Sequence, residues 1–457
     1  MANQKVDELI AKARVAQAIA AEYTQEQVDE MVRVVARKSW DEKERIAQLC
    51  VDDTGKSCYE YKLDKMRNTI TSVYMYLYGR KSVGLIDVDM KKGLRTYAKP
   101  VGVLACIAPV TNPAATPIGN GLNILKTRNA MIVCPHPGAR KASGEMVAVM
   151  RQALKENGYP EDLVQVVPDN TMDDAAYLMS AVDLIIATGG PGMVKAAYSS
   201  GKPAMGVGQG NVQCILDDDF DDLDELVESA FNSRMVDFGM TCTGEQTIHC
   251  PAGKVDQLVA CYQKRKAFYI DDPAVIDILR EKLFVNGSIN RAVVGQPAPV
   301  VAKICGIEVP EDTTLLVAKI NTYGHDLLAK EILCPITRIL PYDKFEDAVE
   351  RARTNLLGEG AGHSSCIWTN NDAHAQYAAE RVPSGRLMIN QAATTGSGRQ
   401  NNGLPQTVSL GCGYWGGNSV GHNVNYKDML NYTILASKLD KPVLTPDEIM
   451  DMYCPKK

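Results

Sequence analysis

The sequence predicts an α/β protein organised around parallel, doubly wound sheet, and three observations carry that reading. Apolar stretches such as "VGVLACIAPV" (101–110) and "NAMIVCPH" (129–136) run unbroken, the pattern of strands buried on both faces of a parallel sheet. They alternate with segments of helical period across short connections, as βα units do. A second alternation starts near residue 213, and 457 residues are enough for two or three domains and at least two sizeable cores.

Taken in order, residues 5–79 read as helical, with Thr24 and Gln27 forming a capping box that opens a second helix, "EQVDEMVRVVARKSW" (26–40). From about residue 83 the period changes, and "RTYAKPVGVLACIAPV" (95–110) supplies a short strand and then a buried one. Helix "NPAATPIGNGLNILK" (112–126), strand "NAMIVCPH" and helix "GARKASGEMVAVMRQALKEN" (138–157) follow. Strand "LVQVVP" (163–168), helix "DDAAYLMSAV" (173–182), strand "DLIIATGG" (183–190) and helix "GMVKAAYSSG" (192–201) complete the first series. Such sheets bind ligands at the carboxyl ends of their strands.

The second series holds helix "FDDLDELVESAFNSRMVDF" (220–238), strand "EQTIHCP" (245–251) and helix "KVDQLVACYQKRKAFY" (254–269). Further strands lie at "SCIWTN" (365–370) and "GRLMINQ" (385–391). The Gly-, Asn- and Ser-rich stretch 394–418 reads as a long loop, a class that is usually functional or disordered, and the chain ends in a short strand and a mobile-looking tail.

Composition narrows the function. A net charge of −6 gives no basic field for nucleic acid or an anionic membrane. No stretch reaches the roughly 18 unbroken apolar residues of a spanning helix. The N-terminus reads as a first helix, without the apolar core of a secretory signal, so a cytoplasmic location is expected. The 13 cysteines are odd in number and include no C-x-x-C pair, so reduced thiols are expected, with neither a disulfide framework nor a metal site.

Several motifs admit two readings. In "IIATGGPGMVKAA" (185–197), Gly189 and Gly190 close a strand before a helix; they either cradle a phosphate on backbone N–H groups or form a plain tight turn. Arg140 and Lys141 in "CPHPGARK" (134–141) either meet a phosphate or start a solvated helix. Asn112 either caps the following helix or aims its amide at a developing oxyanion. Cys242, in "GMTCTGEQT" (239–247), is either a small core residue, as most cysteines are, or, given neighbours that are small and polar where a core site has branched apolar ones, a candidate nucleophile on a substrate-facing loop. His363, in "GAGHSSC" (360–366), is the most site-like of the 6 histidines, with a structural role left open.

Together "TNPAATP", "LKTRNAMIVCPHP", "DLIIATGGPGMVKAAYSSGKPAMGVGQGN", "GMTCTGEQ", "KEILCPI" and "GCGYWGGNSV" resemble the aldehyde dehydrogenase superfamily, in its coenzyme A-acylating branch, in collinear order from about residue 5 to about 430. The resemblance implies a Rossmann-like cofactor domain (1–85 and 101–212), an α/β catalytic domain (213–410) and oligomerisation elements (86–100 and 425–457) that pair a homodimer or homotetramer. It implies Cys242 as nucleophile and Asn112 as oxyanion amide. Gly189 and Gly190 then meet the cofactor pyrophosphate, Pro135 and His136 its adenosine ribose, and Glu331 its nicotinamide ribose. Hydrolytic members carry a general-base glutamate where this chain has Gly206, so a Cys242 thioester is expected to await the thiol of coenzyme A. Some local effect is expected to raise the thiolate fraction of Cys242.

The "GHSS" around His363 is similar to the acylating branch, and "NYKDMLNYT" (425–433) is similar to the ending of acylating sulfoacetaldehyde dehydrogenases. Arg399 is then a candidate partner for a sulfonate, or a plain loop arginine. Pro137 leaves no acidic side chain to repel a 2′-phosphate, which favours NADP over NAD. Acetaldehyde or another short aliphatic aldehyde, glutamyl-phosphate-reductase chemistry, and an inactive binding homologue stand as alternatives.

Overall fold

The computed structural model describes residues 2–398 and 401–455. Helices α1 (Ala2–Ala21), α2 (Gln25–Asp41), α3 (Lys43–Thr54) and α4 (Tyr59–Leu77) open the chain. The capping box at α2 is present: Gln27 N donates to Thr24 Oγ1 while Thr24 N donates to Gln27 Oε1. The buried stripe of α4 runs Lys62, Leu63, Met66, Ile70, Val73 and Leu77, so a lysine occupies a position whose helical spacing belongs to the core.

Next come β1 (Gly84–Asp89), β2 (Leu94–Pro100), β3 (Val103–Ala108), α5 (Ala115–Lys126), β4 (Ala130–Pro135), α6 (Arg140–Glu156) and β5 (Val164–Val166). They are followed by α7 (Met172–Ala181), β6 (Leu184–Thr188), α8 (Pro191–Tyr198) and β7 (Ala204–Val207). Strands β3 to β7 form one parallel sheet in the order β5-β4-β3-β6-β7. Every residue of β3 and β4 is buried, as their unbroken apolar runs require. Strand order reverses between β3 and β6, so their carboxyl ends flank the crevice where such sheets take ligands.

The second unit holds β8 (Val212–Leu216), α9 (Leu223–Met235), β9 (Glu245–Pro251), α10 (Val255–Gln263), β10 (Phe268–Ile270) and α11 (Pro273–Lys282). A small hairpin, β11 (Phe284–Val285) and β12 (Ser288–Ile289), leads to α12 (Ala298–Cys305), β13 (Leu316–Lys319) and β14 (Ile336–Tyr342). Then come α13 (Phe345–Gly358), β15 (Gly362–Trp368), α14 (Asp372–Arg381) and β16 (Ser384–Ile389). These strands, the hairpin aside, form a parallel seven-stranded sheet in the order β10-β13-β14-β9-β8-β15-β16.

The stretch 394–418 is irregular apart from short 3₁₀ turns among its described residues. Strand β17 (Leu430–Ala436) pairs antiparallel with β2, giving a separate sheet ordered β1-β2-β17. The tail differs from its reading as merely mobile: α15 (Pro446–Tyr453) forms, opened by a capping box between Thr445 and Glu448. No helix among the described residues is long and apolar enough to cross a membrane.

Candidate active site

A cavity of about 540 Å³ lies at the carboxyl ends of β3, β4 and β6, and Cys242, Asn112, Glu331, Pro135, His136, Gly189 and Gly190 all line it. The switch point of one sheet thus meets the loop before β9 of the other.

Cys242 sits on a tightly constrained loop. The three residues Asp237, Phe238 and Gly239 all have left-handed backbone, with φ of 54, 50 and 77°. A Cβ on Gly239 would lie 2.3 Å from Cys334 O, so only glycine fits there. The buried Arg234 guanidinium staples this loop to the segment carrying Glu331, donating to Gly239 O (3.1 Å), Cys334 O (2.7 Å), Ile336 O (2.9 Å) and Ile332 O. On the other side, a Cβ on Gly210 would lie 1.9 Å from Cys242 O. The loop of the nucleophile is thus fixed at two positions where backbone approaches too closely for a Cβ.

Burial pushes the Cys242 thiol up to about 12; the Glu331 carboxyl pushes the same way, and Lys65 opposes it. Lys65 and a backbone hydrogen bond favour the thiolate, but desolvation outweighs them in the ligand-free protein.

Asn112 is not the N-cap of α5, a position held by Ala114. Its side chain faces α4, where Lys65 Nζ donates to Asn112 Oδ1 at 2.7 Å. An ammonium has no acceptor, so the atom it meets must be the oxygen and the Nδ2 group must point the other way. Among the described residues Nδ2 has no hydrogen-bond partner, as the oxyanion reading of this amide requires.

Lys65 belongs to a buried cluster that sequence reasoning missed. Asp237 accepts from Lys65, from Lys62 Nζ (3.0 Å) and from Ser57 Oγ (2.7 Å), and Lys62 also donates to Thr111 O (3.1 Å). Burial alone would raise the Asp237 carboxyl, but the two lysines hold it down at about 2. The available signal was Lys62 within the apolar stripe of α4.

Glu331 is buried and accepts from Gly210 N at 3.0 Å and Gln209 Nε2 at 3.5 Å. Burial, and then repulsion by Glu359, lifts its carboxyl to about 8. Gly206 lies in β7, where a Cβ would stand 2.4 Å from Asn418 Oδ1, 2.7 Å from Val194 Cγ1 and 2.9 Å from Tyr198 Cε2. The Tyr198 hydroxyl accepts from Gly206 N (2.8 Å) and Ser419 N (3.1 Å) and donates to Asn418 Oδ1 (3.2 Å). The space a carboxylate would need at this position is already filled by side chains.

Gly190 is the N-cap of α8, and nothing lies within 4 Å of where a Cβ on Gly190 or Gly192 would be. His136 is exposed; its Nδ1 accepts from Gly138 N at 3.0 Å, which places the ring proton on Nε2. Partial burial, then the Arg291 and Lys56 cations, lowers its pKa. Arg140 is not among the lining residues but donates to one of them, Asn170, through its O (2.5 Å) and Oδ1 (3.3 Å), and Lys141 is exposed outside the lining.

His363, at the start of β15, is fully buried and does not line the cavity. Burial and Arg386 push it down to about 3, so its ring is neutral, and among the described residues neither ring nitrogen has a partner. Arg399 lies outside the described residues.

The profile of the aldehyde dehydrogenase family matches residues 1–275 and 316–406. The chain is 40% identical over 433 residues to a succinate-semialdehyde dehydrogenase (acetylating) of Clostridium kluyveri, covering 94% of this chain and 95% of that one. It is 36% identical over 453 residues to a sulfoacetaldehyde dehydrogenase of Acholeplasma sp, covering 97% and 93%. Among solved structures, an acetylating aldehyde dehydrogenase from Geobacillus thermoglucosidasius superposes with a TM-score of 0.93 at 32% identity, over 97% of this chain and 98% of that one.

Proposed function

The chain belongs to the aldehyde dehydrogenase family, among its acylating oxidoreductases, and from that premise we propose that it oxidises a short aldehyde to an acyl-CoA through a thioester on Cys242. The observation that carries this reading is a thiol and an oriented amide, Cys242 and Asn112, lining one cavity whose neighbouring Gly206 has no room for a water-activating carboxylate.

In this reading the Cys242 thiol gives its proton to solvent and its sulfur bonds to the aldehyde carbon. The carbonyl electron pair moves onto oxygen, where Asn112 Nδ2–H donates to it. Collapse of this adduct expels hydride and leaves a thioester. The thiol of coenzyme A then adds to the thioester carbon, and the Cys242 sulfur leaves and regains a proton. With no carboxylate at Gly206, water competes poorly for the thioester.

The cavity fits a nicotinamide dinucleotide, whose oxidised ring supplies the acceptor for the hydride. Gly189 and Gly190 offer side-chain-free backbone ahead of a helix N-terminus and would hold its pyrophosphate, Pro135 and His136 would border the adenosine ribose, and Glu331 would meet the nicotinamide ribose. Lys56 and Arg291 near His136, with no acidic side chain at Pro137, support NADP over NAD. The β1-β2-β17 sheet exposes Leu85, Val88, Ile434 and Leu435, which supports its reading as an oligomerisation surface.

For substrate we favour an aldehyde with a terminal anion. Sulfoacetaldehyde fits the C-terminal sequence pattern; succinate semialdehyde is the second reading, favoured by the 40% identity to the Clostridium kluyveri enzyme. The test is an aldehyde panel with each nicotinamide, with and without coenzyme A. We expect coenzyme A-dependent acyl-CoA formation, with kcat/KM for an anionic aldehyde at least about tenfold above acetaldehyde. Equal turnover without coenzyme A, yielding free acid, overturns the acylating reading.

A further inference from the structure

We propose that Lys65 is a positioning residue for the oxyanion: anchored by Asp237, its ammonium locks the Asn112 side chain with Nδ2 facing the substrate oxygen. The inference rests on the reading of Asn112 as the oxyanion amide and adds to it the group that sets that amide's orientation.

A side-chain amide has two faces of nearly equal shape and opposite polarity. Turned by half a rotation about its terminal torsion, Asn112 would present oxygen to the developing oxyanion and repel it. Lys65 Nζ lies 2.7 Å from Asn112 Oδ1 and has nothing but protons to offer, so the turned state would set Nδ2–H₂ against an ammonium. The lock is itself fixed, because Lys65 also donates to Asp237, which Lys62 and Ser57 hold in turn. Lys62, one helical turn before Lys65, clamps the backbone just before Asn112 through Thr111 O at 3.1 Å. Both the peptide and the side chain of the amide residue are thereby referred to α4.

The same cluster reaches the nucleophile. Asp237 lies in the left-handed loop that leads to Cys242, so one set of ion pairs joins the loop of the sulfur to the residue facing the oxygen.

The experiment is a double-mutant cycle on the full-length enzyme, assayed as acyl-CoA formation with saturating cofactor: wild type, N112A, K65M and K65M/N112A, with K65R and K65Q alongside. N112A should lose roughly a hundredfold in kcat, as removal of an oxyanion donor does. K65M should lower kcat roughly tenfold or more while the KM for cofactor stays within about twofold, and K65R should recover most of the loss. In the N112A background, K65M should cost less than about threefold, because its effect passes through the amide. K65Q, a gentler change should K65M melt early, should lower kcat at least about fivefold.

Wild-type kcat in K65M or K65Q, or a K65M loss undiminished by N112A, overturns the proposal and leaves the role of Asn112 standing. Full turnover in N112A overturns both.

Discussion

Oε1 of Glu331 accepts the backbone N–H of Gly210 at 3.0 Å, and the α-carbon of that same glycine rests against the carbonyl of Cys242. Carboxyl, glycine and the backbone of the nucleophile are thus stacked on one another.

Gly210→Ala tests the stack. Its Cβ would start 1.9 Å from Cys242 O, so the loop must move. We expect a stability loss of about 1–3 kcal/mol, as for other overpacked sites, and a larger proportional loss of kcat. A variant with wild-type kcat and melting temperature would show that the contact is slack.

Glu331→Gln tests the buried carboxyl through pH. Its folded pKa of about 8 lies above the ordinary 4.5, so the fold favours the protonated form. Stability from this group is present below about 4.5 and is lost as pH rises through about 8. The wild type should therefore melt several degrees lower at pH 9 than at pH 5, and E331Q should flatten that slope. Part of the slope should persist, because burial also lifts the Glu245 carboxyl, to about 7. An unchanged profile in E331Q would contradict the assignment.

Cys242 should behave as a reluctant thiol in the ligand-free enzyme. With its pKa pushed up to about 12 by burial, the thiol form is favoured at pH 8. Alkylation by iodoacetamide, followed on the Cys242 peptide, should keep rising through pH 10 without levelling. A plateau near pH 8 would mean that something in the site stabilises the anion.

Gly206→Glu should not create a hydrolase. The new side chain would have to displace Asn418, Val194 and Tyr198, which already fill its place. We expect a destabilised protein with no gain in free acid formed without coenzyme A. A stable variant with rapid acid release would show that the surrounding side chains yield.

Much of this was legible in the sequence, for reasons that are local. The strands β3, β4 and β6 announce themselves because burial on both faces demands unbroken apolar runs, and the glycines at 189 and 190 mark where one of them ends. Asn112 was ambiguous because an N-cap and an oxyanion amide both call for asparagine between a strand and a helix. The structure removes the N-cap reading, since Ala114 holds that place, and the amide is turned by Lys65, 47 positions away, with no periodicity to link the two. Asp237 and Arg234 escaped notice because their partners are distant in the chain. The helix α15 was within reach: Thr445 and Glu448 spell a capping box, obscured by a stretch with no buried face. The resting state of Cys242 depends on burial and on Glu331, neither of which its neighbours in sequence reveal.

The most direct measurement is a single turnover with aldehyde and oxidised nicotinamide, first without coenzyme A and then with it, followed by mass spectrometry of the intact protein and its peptides. The account predicts an acyl mass on the Cys242 peptide that persists until coenzyme A is added and then departs as acyl-CoA. An unmodified Cys242 together with free acid formed at full rate would contradict it.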